Sequence, residues 1–432
     1  MKSILRKILT RILSIESRLV LRKYKPYVIA VTGSVGKTST KDAIHAVIST
    51  RYHARKSEKS FNSEIGVPLT IIGCPNGWSS PVVWFYNILR GAHLILSTRP
   101  YPEYLVLEVG ADHPGDIASI SKWLKPDIAV LTRMSDVPVH IEYFKNAEEV
   151  LAEKMHLAKA LSSRGTVVVN ADDELFMREV LKIDKKKITF GTARDADINI
   201  KNVSIVYDED SNHLPSGEKI TISTTDRESV IEVENIIGNH LSYPFAAAVA
   251  VAQVLGIDNI DWIKALYEYE TARGRMRLIP GLEGSLLIDD SYNSSPIALH
   301  EALRTLDDLT TKGRKIAVLG DMKELGQYSK REHEKVGEQV SHIAHTVVAV
   351  GQAARDIAES AIHSNLKKDH VHWFNDSVEA ADFLHDFVRV GDVVLVKGSQ
   401  SMRMERVTKA LMKVGLNPAD FLVRQEDEWQ KR

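Results

Sequence analysis

A glycine-bearing loop between a strand and a helix constrains this chain more than any other feature. The segment VTGSVGKTST, from Val31 to Thr40, follows an apolar run over Tyr27–Val31 that predicts a buried strand. The residues from Lys37 to about Ser49 have helical spacing. Loop N–H groups and a helix N-terminus together attract anions. The segment therefore predicts a site for the phosphates of a nucleoside triphosphate.

The residue types in this loop suit that ligand. Lys37 supplies a mobile cation, and the hydroxyl of Thr38 is a ligand type that Mg²⁺ accepts. The loop is a shortened form of the common pattern, because Val31 stands where glycine is usual and Gly33 lies three positions before Gly36. The predicted phosphate-binding residues are Gly33, Ser34, Val35, Gly36, Lys37, Thr38 and Ser39.

Composition excludes several classes of protein. At 432 residues, the chain is long enough for two or three domains. Its formal net charge of -1 gives no overall case for nucleic-acid binding. Cys74 is the only cysteine, which excludes an internal disulfide and any multi-cysteine metal site. This usage fits a reducing cytoplasm, where we expect the protein to reside.

Residues 1–26 form a separate segment that predicts a basic amphipathic helix. Apolar residues recur in pairs at helical spacing, and lysine and arginine fill much of the remainder. The segment is too charged to span a membrane. Two interpretations stay open for residues 1–25: packing on the body of the protein, or peripheral contact with an anionic membrane at its inner face. The apolar run Pro81–Ser97 is interrupted by polar residues and predicts a buried or partly exposed helix.

Alternation of strand and helix predicts an α/β fold for the rest of the chain. Apolar runs predict strands at Tyr27–Thr32, Tyr104–Val109, Ile128–Thr132 and Thr166–Asn170, with helices between them. Residues 185–235 alternate with period two and predict an antiparallel insertion in this mostly parallel sheet.

A second α/β unit follows, so we expect one domain over residues 27–272 and another over residues 273–432. Its predicted strands are Ser285–Asp289, Lys315–Leu319, Thr346–Val350 and Val393–Val396. Two such domains leave a cleft between them, which is a common place for a ligand.

Polar residues follow several of the predicted strands, where parallel sheets bind ligands. Glu108 ends the strand that begins at Tyr104, and we expect it to bind Mg²⁺ beside the phosphates. His140 follows the next strand and is a candidate ligand for a second ion, although a lone histidine is more often structural. Lys154, in a helix, would ordinarily be a solvated charge.

Three further runs follow strands of the second unit. They are IDDSYNSSP around Asp290, LGDMKELG around Asp321 and VKGSQSM around Lys397. Each precedes a helix, so all three fall on the same rim of the second domain. Together they predict a functional rim that faces the nucleotide.

These motifs, in this order, resemble the Mur ligase family over about residues 27–420. Further matches are SFNSEIGVP around Asn62, VVNADD around Asn170 and GNH ending at His240. The resemblance implies a P-loop-containing central Mur ligase domain and a Rossmann-like C-terminal domain. It is nearest to the branch that adds D-alanyl-D-alanine to a UDP-N-acetylmuramoyl tripeptide. It also implies that the family's usual N-terminal UDP-binding domain is missing, since only a short helix precedes the loop.

The resemblance implies ATP-dependent amide synthesis through an acyl phosphate, with two Mg²⁺ ions. It assigns catalytic roles to Lys37, Glu108, His140 and a carbamylated Lys154, and metal binding to Thr38, Glu108, His140 and Lys154. ATP would contact the loop residues and the set Asn170, Asp172, His240, Arg275, Asp290, Tyr292 and Asn293. Substrates would contact Asn62, Lys397, Gly398 and Ser399.

Two alternatives remain beside this hypothesis. The same chemistry could join another carboxylate and amine, as in folylpolyglutamate or cyanophycin ligation. The other alternative is a non-catalytic, membrane-associated nucleotide-binding adaptor. The presence of an intact set of site residues argues against it: Lys37, Thr38, Glu108, His140 and Lys154. The sequence indicates small-molecule and peptide-nucleotide partners, and it does not indicate an oligomeric state.

Overall fold

The structure is a computed structural model that describes residues 2–58, 61–78, 80–135, 137, 141–208, 213–238, 241–426 and 429, with side chains from Arg6 onward. Two residues with predicted roles, His140 and His240, lie outside the described residues.

The first half of the chain supplies one large sheet and the helices that cover it. Its strands are β1 (Tyr27–Thr32), β2 (Ala54–Lys56), β3 (Tyr104–Glu108), β4 (Ile128–Leu131), β5 (Thr166–Asn170), β6 (Lys186–Gly191), β7 (Ile198–Asp208), β8 (Leu214–Ser223) and β9 (Glu228–Glu234). Its helices are α1 (Lys2–Tyr24), α2 (Lys37–Ile48), α3 (Gly66–Ile72), α4 (Pro81–Leu96), α5 (Asp116–Ser121), α6 (Ala147–Lys159), α7 (Glu174–Val180), α8 (Ser242–Leu255) and α9 (Asn259–Tyr267).

Within the described residues, this sheet has nine strands in the order β2-β3-β1-β4-β5-β6-β7-β8-β9. The pairs from β2 to β7 are parallel, and only β7–β8 and β8–β9 are antiparallel. The predicted antiparallel insertion is therefore shorter than residues 185–235, because β6 continues the parallel ladder beside β5. Period-two alternation cannot separate these cases, because it describes which side chains are buried and does not specify the direction of a strand.

The second half of the chain forms another sheet. Its strands are β10 (Arg277–Pro280), β11 (Leu286–Asp290), β12 (Lys315–Gly320), β13 (Thr346–Val350), β14 (Val371–Phe374) and β15 (Val393–Lys397). Its helices are α10 (Pro296–Asp308), α11 (Ser329–Ser341), α12 (Arg355–His363), α13 (Ser377–His385), α14 (Glu405–Leu411) and α15 (Pro418–Phe421). The described strand order is β10-β11-β15-β12-β13-β14, and only the β10–β11 pair is antiparallel.

Both faces of the first sheet are covered, which is why its central strands are apolar without interruption. In β1, Ile29 and Val31 belong to the core on the α2 and α8 side, while Val28 and Ala30 belong to the core on the opposite side. The α/β fold class and the mostly parallel central sheet are as predicted. Register pairs Val31 with Glu108 and Thr32 with Leu131, so the carboxyl ends of β1, β3 and β4 lie side by side.

The N-terminal helix α1 packs on the first domain. Leu13, Ser17 and Val20 are fully buried, and the hydroxyl of Ser17 donates to the Pro68 carbonyl of α3. The ammonium of Lys23 donates to the carbonyl of Leu94 in α4 at 2.9 Å. The apolar stripe read from the sequence is therefore used at least partly for packing. No helix of the described chain has both the length and the apolar character needed to cross a membrane.

Candidate active site

The P-loop joins β1 to α2, and its backbone needs glycine at two positions. Gly36 has φ of 81°, a left-handed conformation, immediately before α2 begins at Lys37. Gly33 has φ of 153°, and a Cβ there would lie 2.0 Å from the Thr132 hydroxyl oxygen. The shortened loop therefore depends on close approach to the segment after β4.

Two residues after β4 hold this loop in place. The Thr132 hydroxyl donates to the Val35 carbonyl at 2.6 Å, and the Ser34 N–H donates to the Arg133 carbonyl at 2.7 Å. These bonds fix the loop without using its helix N-terminus. Thr132 and Arg133 are thus supporting residues that the sequence motif did not reveal.

Two lysines converge on one carbonyl of the loop. The Lys37 ammonium donates to the Gly33 carbonyl at 3.0 Å, and the Lys154 ammonium donates to the same oxygen at 2.9 Å. Lys154 is only 4% exposed, although it lies in a helix where solvent exposure is common. Burial, reinforced by the Lys37 charge, lowers the pKa of Lys154 to about 7. Burial also lowers the pKa of Lys37, against the opposing effect of Glu108.

A buried carboxylate completes this end of the cleft. Glu108, 1% exposed, ends β3 and accepts hydrogen bonds from the Thr38 hydroxyl at 2.9 Å and from the Asn62 amide at 3.0 Å. The adjacent Gly110 N–H donates to the Asn62 carbonyl at 2.9 Å. The structure therefore brings together Lys37, Thr38, Asn62, Glu108 and Lys154.

Asp112, four residues after the end of β3, also acts on this site through its charge. Its carboxylate is close enough to raise the pKa values of both Lys37 and Lys154, against the larger effect of burial. Asp116 holds the turn itself, because its carboxylate accepts from the N–H groups of Asp112 and His113. The signal available for Asp112 was its position four residues after Glu108, just beyond the carboxyl end of β3.

The oxygen ligands at Glu108 and Thr38 are of the kind that Mg²⁺ prefers. Among the described residues, no group of three or more His, Cys, Asp or Glu side chains is close enough to hold a metal ion alone. Phosphate oxygens and water commonly supply the remaining ligands of Mg²⁺. The two side chains thus fit a magnesium ion that is shared with a bound nucleotide.

The predicted nucleotide-side residues after β5 hold their own turn. The Asn170 side-chain oxygen accepts from the Asp172 N–H at 3.0 Å. The Asp172 carboxylate accepts from Thr192 N–H at 2.7 Å, from Ala193 N–H at 2.8 Å and from the Tyr243 hydroxyl at 2.9 Å. Asp172 therefore ties the turn after β6 to the start of α8.

The second domain places its predicted residues on one rim, after β11 and β15. Lys397 is only 1% exposed. Its ammonium contacts the Asp290 carboxylate at 2.5 Å and donates to the Asn293 carbonyl at 3.1 Å. The Arg275 guanidinium lies 4.4 Å from the centroid of the Tyr292 ring. Burial lowers the pKa values of Lys37 and Lys397, and the Arg275 charge lowers both further, so Arg275 connects the P-loop electrostatically to this rim.

The turn after β15 is held by the turn after β12. The Ser399 hydroxyl accepts from the Lys323 N–H at 2.8 Å, and its own N–H donates to the Asp321 carbonyl at 3.0 Å. Gly398 lies against Gly320, where a Cβ would be 3.0 Å from the Gly320 Cα. The three polar runs of the second domain are thus one connected rim. Arg133, which supports the P-loop, reaches Glu301 of α10 at 3.2 Å.

A buried carboxylate in β8 gives a pH-dependent prediction. Glu218 is 1% exposed and accepts from the Gly238 N–H at 2.6 Å, and burial raises its pKa to about 7. Between pH 4.5 and 7 the folded state binds this proton and the unfolded state does not, so stability falls as pH rises. The loss reaches about 3 kcal/mol above pH 7.

We expect Glu218→Gln to remove this loss while keeping an acceptor for Gly238. Its thermal midpoint should exceed that of the parent by about 6–12 °C at pH 8 and by little at pH 4.5. Glu228→Gln, an exposed substitution in β9, is the matched control. Equal midpoints at both pH values would contradict a buried ionised Glu218.

Two family models match this chain. The Mur ligase middle domain matches residues 31–83 and 87–252, and the Mur ligase glutamate ligase domain matches residues 274–400. Together they cover the P-loop, the Glu108 strand and the rim of the second domain.

Curated proteins and solved structures agree with those models. The UDP-N-acetylmuramoyl-tripeptide--D-alanyl-D-alanine ligase of Bacillus subtilis is 29% identical over 391 residues, covering 90% of this chain and 77% of the relative. The Escherichia coli protein of the same name is 28% identical over 394 residues, with coverages of 90% and 77%. The MurF ligase of Thermotoga maritima in complex with ADP has a TM-score of 0.75 and 28% identity, and the match covers 93% of this chain and 83% of that one.

Proposed function

Because this chain belongs to the Mur ligase family of ATP-dependent ligases, we propose that it adds D-alanyl-D-alanine to a UDP-N-acetylmuramoyl tripeptide in peptidoglycan precursor synthesis. One observation carries the proposal: Lys37, Lys154, Thr38 and Glu108 meet at a P-loop. The relatives that match about nine-tenths of the chain bear that activity in their names. We place the protein in the cytoplasm and its domain boundary between residues 272 and 273.

The proposed nucleotide site lies between the two domains. The backbone of Gly33–Ser39 would surround the phosphates, and Lys37 would leave the Gly33 carbonyl to contact them. The Arg275 guanidinium, whose charge already affects Lys37, would contact the nucleotide from the second domain. We keep the other predicted nucleotide contacts as proposals, namely Asn170, Asp172, His240, Asp290, Tyr292 and Asn293. The proposed substrate contacts are Asn62, Lys397, Gly398 and Ser399.

In the proposed reaction, a substrate carboxylate oxygen attacks the γ-phosphorus of ATP and ADP leaves. The amine of the second substrate then attacks the acyl carbon, phosphate leaves, and the amine loses a proton. The first step brings anions together, so cations must offset their repulsion. Lys37 supplies one positive charge at the P-loop. Magnesium would supply further charge neutralisation, held by Thr38 and Glu108, with a second ion at His140 and Lys154.

We also propose that Lys154 carries a carbamate, which would change this cation into an anion able to support a metal ion. The neutral amine attacks the carbon of CO₂ and releases one proton. The geometry supports this assignment, because the amine is buried beside the P-loop carbonyl of Gly33 at 2.9 Å. With its pKa lowered to about 7, a large fraction of the amine is neutral at pH 8.

We expect the parent protein in ¹³C-bicarbonate to give a carbamate resonance that Lys154→Ala lacks. The resonance should weaken as pH falls from 8 to 6, because protonation removes the nucleophilic amine. Lys159→Ala, an exposed substitution in the same helix, is the matched control. A resonance that survives in Lys154→Ala would show that another group is carbamylated.

Phosphate release coupled to product analysis tests the proposed function. The purified protein is supplied with ATP, Mg²⁺, UDP-N-acetylmuramoyl tripeptide and D-alanyl-D-alanine, and each substrate is omitted in turn. Phosphate release that requires both substrates, with a pentapeptide product by mass spectrometry, is the expected result. ATP binding without this product would contradict the proposed substrate pair and favour another carboxylate and amine.

Peripheral membrane contact also stays a proposal, as predicted from residues 1–25. The fold changes how such contact would be made, since α1 buries Leu13 and Val20 against its neighbours.

A further inference from the structure

Helix α4 presents an apolar face to solvent. Its inner side is buried at Asn87, Gly91 and Leu94, where it packs on the first domain. The exposed fractions on its outer side are 62% for Val82, 59% for Phe85, 65% for Tyr86, 47% for Leu89 and 86% for Leu96. Trp78, just before the helix, is 52% exposed. On monomeric soluble proteins, a cluster of this many exposed large apolar side chains is rare and usually marks a binding surface.

Helix α1 is a neighbour of α4 and contributes exposed apolar side chains of its own. It packs beside α4, where the Tyr24 hydroxyl donates to the Leu94 carbonyl at 3.0 Å, and it exposes Ile8, Ile15 and Leu19. Of the eighteen large apolar side chains exposed in the described residues, nine lie in these two helices or at Trp78. The other nine are distributed over the rest of the chain. We call the exposed surface of α1, Trp78 and α4 the α1–α4 face.

The charge of the α1–α4 face has one sign. The exposed charged side chains of α1 are all basic: Arg6, Lys7, Arg11, Arg18, Arg22 and Lys23. The only acidic residue of α1, Glu16, is 8% exposed and turned toward Gly91 of α4. Residues 65–102, which include α4, contain no aspartate or glutamate. The protein as a whole has a formal net charge of -1, so this local excess is a property of the face.

A basic cavity adjoins the end of α4. It has a volume of about 370 Å³, and its lining includes Arg55, Arg90, His93 and Arg99 but no carboxylate. The Arg55 guanidinium is held in place, since it donates to the Ile71 carbonyl at 2.8 Å and stacks on Tyr101 at 5.1 Å. The fixed cation and its two arginine neighbours form a site suited to a phosphate group.

We infer that the α1–α4 face binds the surface of an anionic phospholipid bilayer. The apolar side chains of α4 would enter the headgroup boundary, and the arginines and lysines beside them would contact lipid phosphates. A second copy of the chain is disfavoured as the occupant, because it would oppose one set of cations with another. This inference does not depend on the ligase activity, and it adds α4 to the peripheral membrane contact that the sequence suggested for residues 1–25.

Co-sedimentation with vesicles tests the inference on the full chain. We expect the fraction bound to vesicles with 30 mol% phosphatidylglycerol to be at least fivefold higher than that bound to pure phosphatidylcholine vesicles. Raising KCl from 50 to 500 mM should reduce binding, because salt screens the attraction. Equal sedimentation with the two kinds of vesicle, or none with either, would overturn the inference.

Two double variants, one on α4 and one matched control elsewhere, identify the surface that binds. Phe85→Glu with Leu89→Glu should lower vesicle binding at least fivefold, whereas Val230→Glu with Val414→Glu should not. All four residues are exposed, so the substitutions leave the core intact. An equal loss in both double variants would overturn the assignment to α4.

Charge reversal and light scattering complete the design. Arg11→Glu with Arg22→Glu should lower binding to the anionic vesicles several-fold, and unchanged binding would overturn the electrostatic part of the inference. Light scattering should give the same mass for the parent and for Phe85→Glu with Leu89→Glu. The inference would be overturned if the parent forms a dimer that the double variant does not form, while the double variant binds vesicles as well as the parent does. That result would identify the face as an interface between two copies of the chain.

Discussion

Lys37→Ala is expected to reduce ATP-dependent phosphate release by three orders of magnitude or more while leaving the fold intact. Removing one preorganised donor to a developing negative charge typically costs about 10²–10³ in rate, and Lys37 carries a full charge at the P-loop. The fold should survive because the Gly33 carbonyl keeps its hydrogen bond from Lys154 at 2.9 Å. The loop also keeps its bonds to Thr132 and Arg133.

The measurement is steady-state turnover with a thermal melt of each variant. Lys264→Ala, an exposed lysine in α9, is the control and should keep parental turnover. A Lys37→Ala protein with near-parental activity would contradict the assignment of the loop to ATP. If Lys37→Ala is inactive and also has a lowered thermal midpoint, Lys37→Met would be measured in its place. Methionine keeps the aliphatic part of the side chain and removes only the charge.

The second large effect is expected from Glu108→Gln. The substitution keeps the shape of the side chain and an acceptor for Thr38 or Asn62, but it removes the buried negative charge that Mg²⁺ needs. We expect kcat/KM at limiting Mg²⁺ to fall at least 100-fold, and the Mg²⁺ concentration for half-maximal activity to rise. Part of the loss should be recovered at high Mg²⁺.

A magnesium titration of turnover distinguishes this role from a structural one. Glu174→Gln, an exposed substitution in the first turn of α7, should leave the titration unchanged. If Glu108→Gln has the parental magnesium dependence, then the ion is held elsewhere. A loss of activity that is independent of Mg²⁺, in a folded protein, would instead assign Glu108 to positioning Thr38 and Asn62.

The two domains differ little in how well their strands could be predicted. Thr166–Asn170 and Thr346–Val350 have the predicted limits, because continuous β-branched runs between polar turns leave few other options. Short or partly polar strands such as β2 and β14 were missed, since three or four residues carry too little periodicity. The parallel pairing of β6 was also missed, because alternation does not specify strand direction.

The α1–α4 face is a feature that the sequence described only in part. Helical spacing in α1 predicted an apolar stripe, but that pattern fits both burial and membrane contact. Packing against α3 and α4 buries Leu13 and Val20, which leaves the larger exposed apolar surface on α4. Which side of a helix becomes exposed depends on neighbours that are distant in sequence.

The sequence by itself determined the P-loop, the acidic end of β3 and the order of the polar runs, because these depend on local residue types at the ends of strands. Only the tertiary structure decided that Lys154 lies beside Lys37 on the Gly33 carbonyl, 121 residues away in the chain. It also decided that Thr132 and Arg133 support the loop, and that Asp112 acts on both lysines. Such encounters depend on the order of strands in the sheet and on the register that aligns their ends, and neither is written in any local pattern of residues.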